Sequence, residues 1–153
     1  MRSVVLLSSG LDSSVNLLAA LREGEVLKAI TFDYGQRAAE QEIKRSTALC
    51  QQYSVPHQVI DLKFFSGITN TSLVNRSMDV PTGQEVNINS QKGSEGSAEK
   101  VWVPNRNGTF LNIAASFAEG LGASHVIPGF NLEEAQTFPD NSQEYVNALN
   151  ESF

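Results

Sequence analysis

The sequence predicts an α/β domain built on a parallel sheet, and three observations carry that expectation. Val4 to Leu7 is a short apolar run, as expected of a strand buried in a sheet, and Val26 to Phe32 and His57 to Asp61 read as the second and third strands. Segments of helical character separate them, giving the β-α-β-α-β alternation of right-handed crossover units. The chain has 153 residues, 41% of them hydrophobic, which fits one domain with a real core.

The elements follow in order. After the first strand, Val15, Leu18 and Leu21 recur at helical spacing, with Leu17, Ala19 and Ala20 filling in, and Gly24 is the expected stop. A second helix is expected from about Ala38 to Tyr53, and Pro56 opens the third strand. The stretch 66–100 is polar and rich in Ser, Asn, Gly and Gln; it reads either as a functional lid or as a plain insertion. A third long helix is expected from about Gly108 to Glu119, closed by Gly120 and Gly122, with Asn107 as its cap. Val126-Ile127 is a further strand, and Asp140 or Asn141 is expected to cap a last helix containing Tyr145, Val146 and Leu149. The chain ends at Phe153, within or just after that helix, and reads as cut short.

Composition narrows the function classes. The formal net charge of −6 argues against a broad nucleic-acid surface. No stretch reaches the ~20 apolar residues of a membrane span, and no signal peptide is recognised, so the expected location is cytoplasmic. The single cysteine, Cys50, is expected to be a small apolar core residue, and the two histidines, His57 and His125, packing residues.

The loop Ser8-Ser9-Gly10-Leu11-Asp12-Ser13-Ser14 lies between a buried strand and a helix. Backbone N–H groups and the helix dipole favour an anion there, and small residues let phosphate oxygens approach. Gly10 is expected to supply a positive φ, and Ser8, Ser13 and Ser14 hydroxyl donors. Asp12 becomes favourable beside phosphates if Mg²⁺ lies between them. The plainer reading is that Asp12 or Ser13 caps the helix. Neither a Walker loop nor a Gly-x-Gly-x-x-Gly dinucleotide fingerprint is present. Two further segments stand at strand or helix ends. In Asp33-Tyr34-Gly35-Gln36-Arg37, Arg37 is either a phosphate partner or a solvated turn residue. In Val103-Pro104-Asn105-Arg106-Asn107, an arginine at a helix start opposes the dipole, a local violation of the kind that functional residues show.

The first loop resembles the Ser-Gly-Gly-x-Asp-Ser motif of PP-loop ATP pyrophosphatases, with Ser9 at the place of the first glycine. Together with Asp33 to Arg37, Val103 to Asn107, Gly129-Phe130-Asn131 and Phe138-Pro139-Asp140, it resembles the 7-cyano-7-deazaguanine synthase family. That resemblance implies a Rossmann-like sheet with helices on both faces, of the adenine nucleotide alpha-hydrolase-like kind. It implies residues 1–153 as the nucleotide-binding domain, with the family's C-terminal zinc part absent. The implied activity is ATP-dependent conversion of a deazapurine carboxylic acid and ammonia to the nitrile through an adenylated intermediate. ATP and Mg²⁺ are the implied cofactors. Ser8, Ser9, Gly10, Leu11, Asp12, Ser13 and Ser14 would hold phosphate, Asp12 and Asp33 the metal, and Arg106 and Arg37 the developing charge. Asn131 and Asp140 would bind substrate, with a helix cap as the alternative for Asp140. The family's structural zinc lacks its ligands here, and a homodimer is compatible with the resemblance. The other readings are a divergent ligase that stops at an amide or uses another amine, and a non-catalytic nucleotide-binding module.

Overall fold

A computed structural model describes residues 1–69, 71, 102–130 and 138–153. Four parallel strands make one sheet in the order β3-β2-β1-β4: β1 is Arg2–Leu6, β2 Glu25–Asp33, β3 His57–Asp61 and β4 His125–Ile127. The central strand β1 pairs Val5 with Ala29 of β2 on one side and with Ile127 of β4 on the other. Helices α1 (Leu11–Glu23) and α2 (Ala39–Gln52) lead from β1 to β2 and from β2 to β3; α3 (Arg106–Leu121) leads into β4, and α4 (Gln143–Ser152) ends the chain. Two short 3₁₀ turns, Lys63–Gly67 and Pro139–Asn141, complete the described elements.

Strand side chains alternate between two cores, which puts helices on both faces of the sheet as expected. Val5, Leu7 and Ala29 pack with Leu17 and Ala20 of α1 and Cys50 of α2. Val4, Ile30 and Phe32 pack with Ala114 and Ala118 of α3, and with Phe65 and Val103. Phe65, 1% exposed, comes from the 3₁₀ turn Lys63–Gly67. Burial pushes the Cys50 thiol up to about 11, as befits a core residue held away from nucleophilic chemistry.

Several local expectations are corrected. The buried stripe of α1 is Ser13, Leu17 and Ala20, while Val15 is exposed, because the sheet lies under the other side of the helix. The cap of α3 is Asn105 in left-handed backbone (φ 48°), and Asn107 lies within the first turn, buried. The same helix runs through Gly120 and ends at Gly122 (φ 66°). Ser142, rather than Asp140 or Asn141, caps α4, its hydroxyl accepting from the Tyr145 N–H at 3.2 Å. His57 is a packing residue, bonded through Nε2 to Thr31 Oγ1 at 2.8 Å, with its pKa lowered by burial first and by Lys28 second. His125 is exposed and merely meets its neighbour Ser124. Of the polar stretch, residues 70 and 72–100 lie outside the described residues. No described helix is long and apolar enough to cross a membrane.

Candidate active site

All four strands run parallel, so the segments that follow β1, β2 and β4 emerge at one edge. The chain steps outward from β1 to β3 and then returns to β4 on the other side of β1, and a reversal of this kind opens a crevice at the carboxyl ends of the strands. A cavity of about 360 Å³ lies there. Its walls bring together Ser8, Gly10, Leu11, Asp12 and Ser13 of the first loop and Arg106 of α3, from opposite parts of the sequence.

The loop is held open by its own hydroxyls. Ser13, 5% exposed, accepts from the Ser8 N–H at 3.3 Å, meets Ser8 Oγ at 3.2 Å and donates to the Gly10 carbonyl at 3.2 Å. Its hydroxyl thus braces the loop from beneath rather than facing the cavity as a free donor. Gly10 is the N-cap of α1 and no side chain caps that helix, which removes the reading of Asp12 or Ser13 as a simple cap. The first turn of α1 therefore presents its N–H groups and positive dipole end at the cavity edge. Asp12 is exposed in that same turn.

The backbone also reverses an expectation. Gly10 is extended (φ −66°), and the left-handed residue is Ser9 (φ 62°). The position that resembles the family's first glycine is thus the one that needs a positive φ, so serine there carries strain of roughly 1 kcal/mol or more. Ser9 and Ser14 do not line the cavity. The segment after β4 closes on the loop from the other side: Asn16 Nδ2 donates to the Pro128 carbonyl at 2.9 Å, and a Cβ on Gly129 would lie 3.4 Å from that of Ser13.

Arg106 opens α3 and leans over Tyr34. Its Nη1 reaches the phenol oxygen at 3.4 Å and its guanidinium carbon lies 5.6 Å from the ring centre. Burial raises the Tyr34 pKa, with Arg106 opposing that shift. Tyr34 packs at 5.6 Å against Phe110, which stacks on Phe32 at 4.0 Å, so one wall of the cavity is aromatic. Asn107 donates to Asn141 Oδ1 at 2.7 Å, a buried pair that ties α3 to the turn before α4.

Beyond the first loop, three expected residues fall elsewhere. Asp33, Arg37 and Asp140 do not line the cavity. The Asp33 carboxylate accepts from the Gly35 N–H at 3.1 Å and meets Lys63 Nζ at 3.1 Å, so it shapes its own turn instead of joining Asp12. Asp140 Oδ1 is buried and finds no hydrogen-bond partner among the described residues; Asn131 lies outside them. Sequence reasoning missed Tyr34, Glu42 and Phe110 as cavity residues. Tyr34 stood inside a motif already singled out, whereas Glu42 and Phe110 read as ordinary helical residues.

The chain matches the family of the queuosine biosynthesis protein QueC over residues 2–153. It is 52% identical over 152 residues to the 7-cyano-7-deazaguanine synthase of Pelotomaculum thermopropionicum, covering 99% of this chain and 69% of that protein. It is 51% identical to the synthase of Bdellovibrio bacteriovorus, covering 97% and 65%, and 49% identical to that of Methanosarcina barkeri, covering 100% and 68%. The chain thus spans about two thirds of the length of these relatives. Among solved structures, NMN synthetase from Francisella tularensis aligns over 79% of this chain and 42% of its own, with TM-score 0.47 and 15% identity, a likeness too loose to bear on function.

Proposed function

The chain belongs to the QueC family, and we propose that it is an ATP-dependent ligase of the 7-cyano-7-deazaguanine synthase type. Its reaction converts 7-carboxy-7-deazaguanine and ammonia to the nitrile. The observation that carries this reading is the meeting of an uncapped helix start, an exposed Asp12 and an arginine in one cavity.

The residues suit substitution at an activated carbonyl. The substrate carboxylate attacks the α-phosphorus of ATP, the bond to the β-phosphate oxygen breaks, and pyrophosphate leaves. The N–H groups opening α1 hold the phosphates. Arg106 stabilises charge shed onto pyrophosphate, and Tyr34 holds its guanidinium in place. Ammonia then displaces AMP to give an amide; a second ATP adenylates the amide oxygen with release of pyrophosphate, and loss of AMP and the nitrogen's protons gives the nitrile. Asp140 would accept the two neighbouring N–H donors of the guanine-like ring, which fits an oxygen that finds no partner among the described residues.

Asp12 is the residue that would hold Mg²⁺. Among the described residues no three His, Cys, Asp or Glu side chains gather as a ligand set, so phosphate oxygens and water would complete the shell, as that ion commonly allows. When bound, the ion would neutralise phosphate charge. No described group fits a structural zinc, and Cys50 is sealed in the core.

The test is pyrophosphate release from ATP and Mg²⁺ with ammonia, with and without the carboxylic acid, alongside mass spectrometry of the product. Acid-dependent release with a nitrile product is expected. Release that stops at an amide would replace this reading with a divergent ligase. No release above an Asp12→Ala blank would leave a nucleotide-binding module.

A further inference from the structure

The cavity contains a second carboxylate, and its surroundings differ from those of Asp12. Glu42 lies in the first turn of α2 and lines the cavity. Its Oε2 accepts from Gln36 Nε2 at 2.9 Å. Gln36 is 4% exposed and fully engaged: it also donates to the Phe32 carbonyl at 2.9 Å and accepts from the Tyr34 N–H at 2.9 Å. Among the described residues, a buried amide thus fixes Glu42 through one oxygen. This carboxylate stands on the β2 side of the cavity, next to the aromatic wall of Phe32, Tyr34 and Phe110. The phosphate-type features, by contrast, gather at the start of α1.

We infer that Glu42 is a specificity-determining residue, whose second carboxylate oxygen accepts hydrogen bonds from the N–H edge of a flat heteroaromatic ring lying against that wall. An acceptor-only group rejects anions and favours donor edges, and an aromatic wall favours a planar partner. Orientation by a buried amide removes the freedom that a surface glutamate would lose on binding. The inference rests on the ligase reading for the identity of its rings: the adenine of ATP and the deazapurine of the acid both present N–H donors.

Glu42→Gln tests this with little disturbance to the scaffold. Glutamine keeps a carbonyl for Gln36, while its amide group turns a donor toward the ring. Calorimetric titration with α,β-methylene-ATP and with 7-carboxy-7-deazaguanine reads the two rings separately, and thermal melting reads the fold. The expected result is a loss of affinity of at least about tenfold for one ring, with the other within about twofold and melting unchanged. The ligand affected identifies the ring. Unchanged affinity for both, or equal weakening of both with a lowered melting temperature, would overturn the inference and leave Glu42 as support for Gln36. Wild-type protein that binds neither ring overturns it as well. Because binding needs no turnover, a chain that binds through Glu42 without releasing pyrophosphate sinks the ligase reading alone. A chain that turns over while Glu42→Gln binds both rings normally sinks this one alone.

Discussion

The loops that follow β1 and β2 emerge side by side at one edge of the sheet, yet they are built in opposite ways. The loop after β1 is joined by hydroxyl contacts of 3.2–3.4 Å, has a strained Ser9 and leaves the start of α1 without a side-chain cap. The loop after β2 is closed on itself. Gln36 makes three bonds of 2.9 Å, and Asp33 is taken up by Gly35 and Lys63. A loop whose polar groups satisfy one another is a scaffold, and one that leaves helix-end donors facing a cavity is ready for a ligand. Both segments contain an aspartate, a glycine and further polar residues, so composition alone does not separate them.

Five substitutions sharpen or break that contrast. The largest effect is expected at the open loop and its counter-charge: Asp12→Ala or Arg106→Ala should lower acid-dependent pyrophosphate release about 100-fold or more, with the melting temperature little changed. A variant near wild-type rate would mean the cavity is not where phosphate is handled. Next comes Gln36→Leu, which strands the Tyr34 N–H and the Phe32 carbonyl and should cost about 2–3 kcal/mol in urea unfolding. A loss below about 0.5 kcal/mol would show that the β2 loop is not the rigid member. Ser9→Gly should stabilise the fold by up to about 1 kcal/mol, because glycine takes the positive φ without a Cβ penalty, less its greater entropy when unfolded. Destabilisation there would contradict the strain assigned to the open loop. The smallest effect belongs to Lys63→Ala. Lys63 is largely exposed and divides its charge between Asp33 and Asp61, so its loss should leave melting and pyrophosphate release within error. A clear loss of activity would return Asp33 to the chemistry.

Much of the site could be read from one-dimensional pattern because its parts are local. The loop 8–14 was legible as strand, small residues and helix, and Arg106 stood out because it opposes its own helix dipole. Glu42 gave no such signal. Its position in the cavity depends on where α2 starts relative to β2 and on a bond from Gln36, six residues away in sequence. Asp33 misled for the same reason: its partner Lys63 arrives from the end of the neighbouring strand β3. The error at α1 was of another kind, since Val15, Leu18 and Leu21 share one helical face and only the position of the sheet decides that Leu17 and Ala20 are the buried pair.

By itself the sequence determined the alternation of strands and helices, the phosphate-type loop and the family resemblance, all of which rest on near neighbours and fixed spacings. Only the tertiary structure decided which of two similar loops stays open, which serine bears the positive φ, and that Glu42 rather than Asp33 joins Asp12 at the cavity. The physical reason is that a polar side chain is defined by its partner. In a parallel sheet those partners come from separate crossovers that meet only at the carboxyl edge.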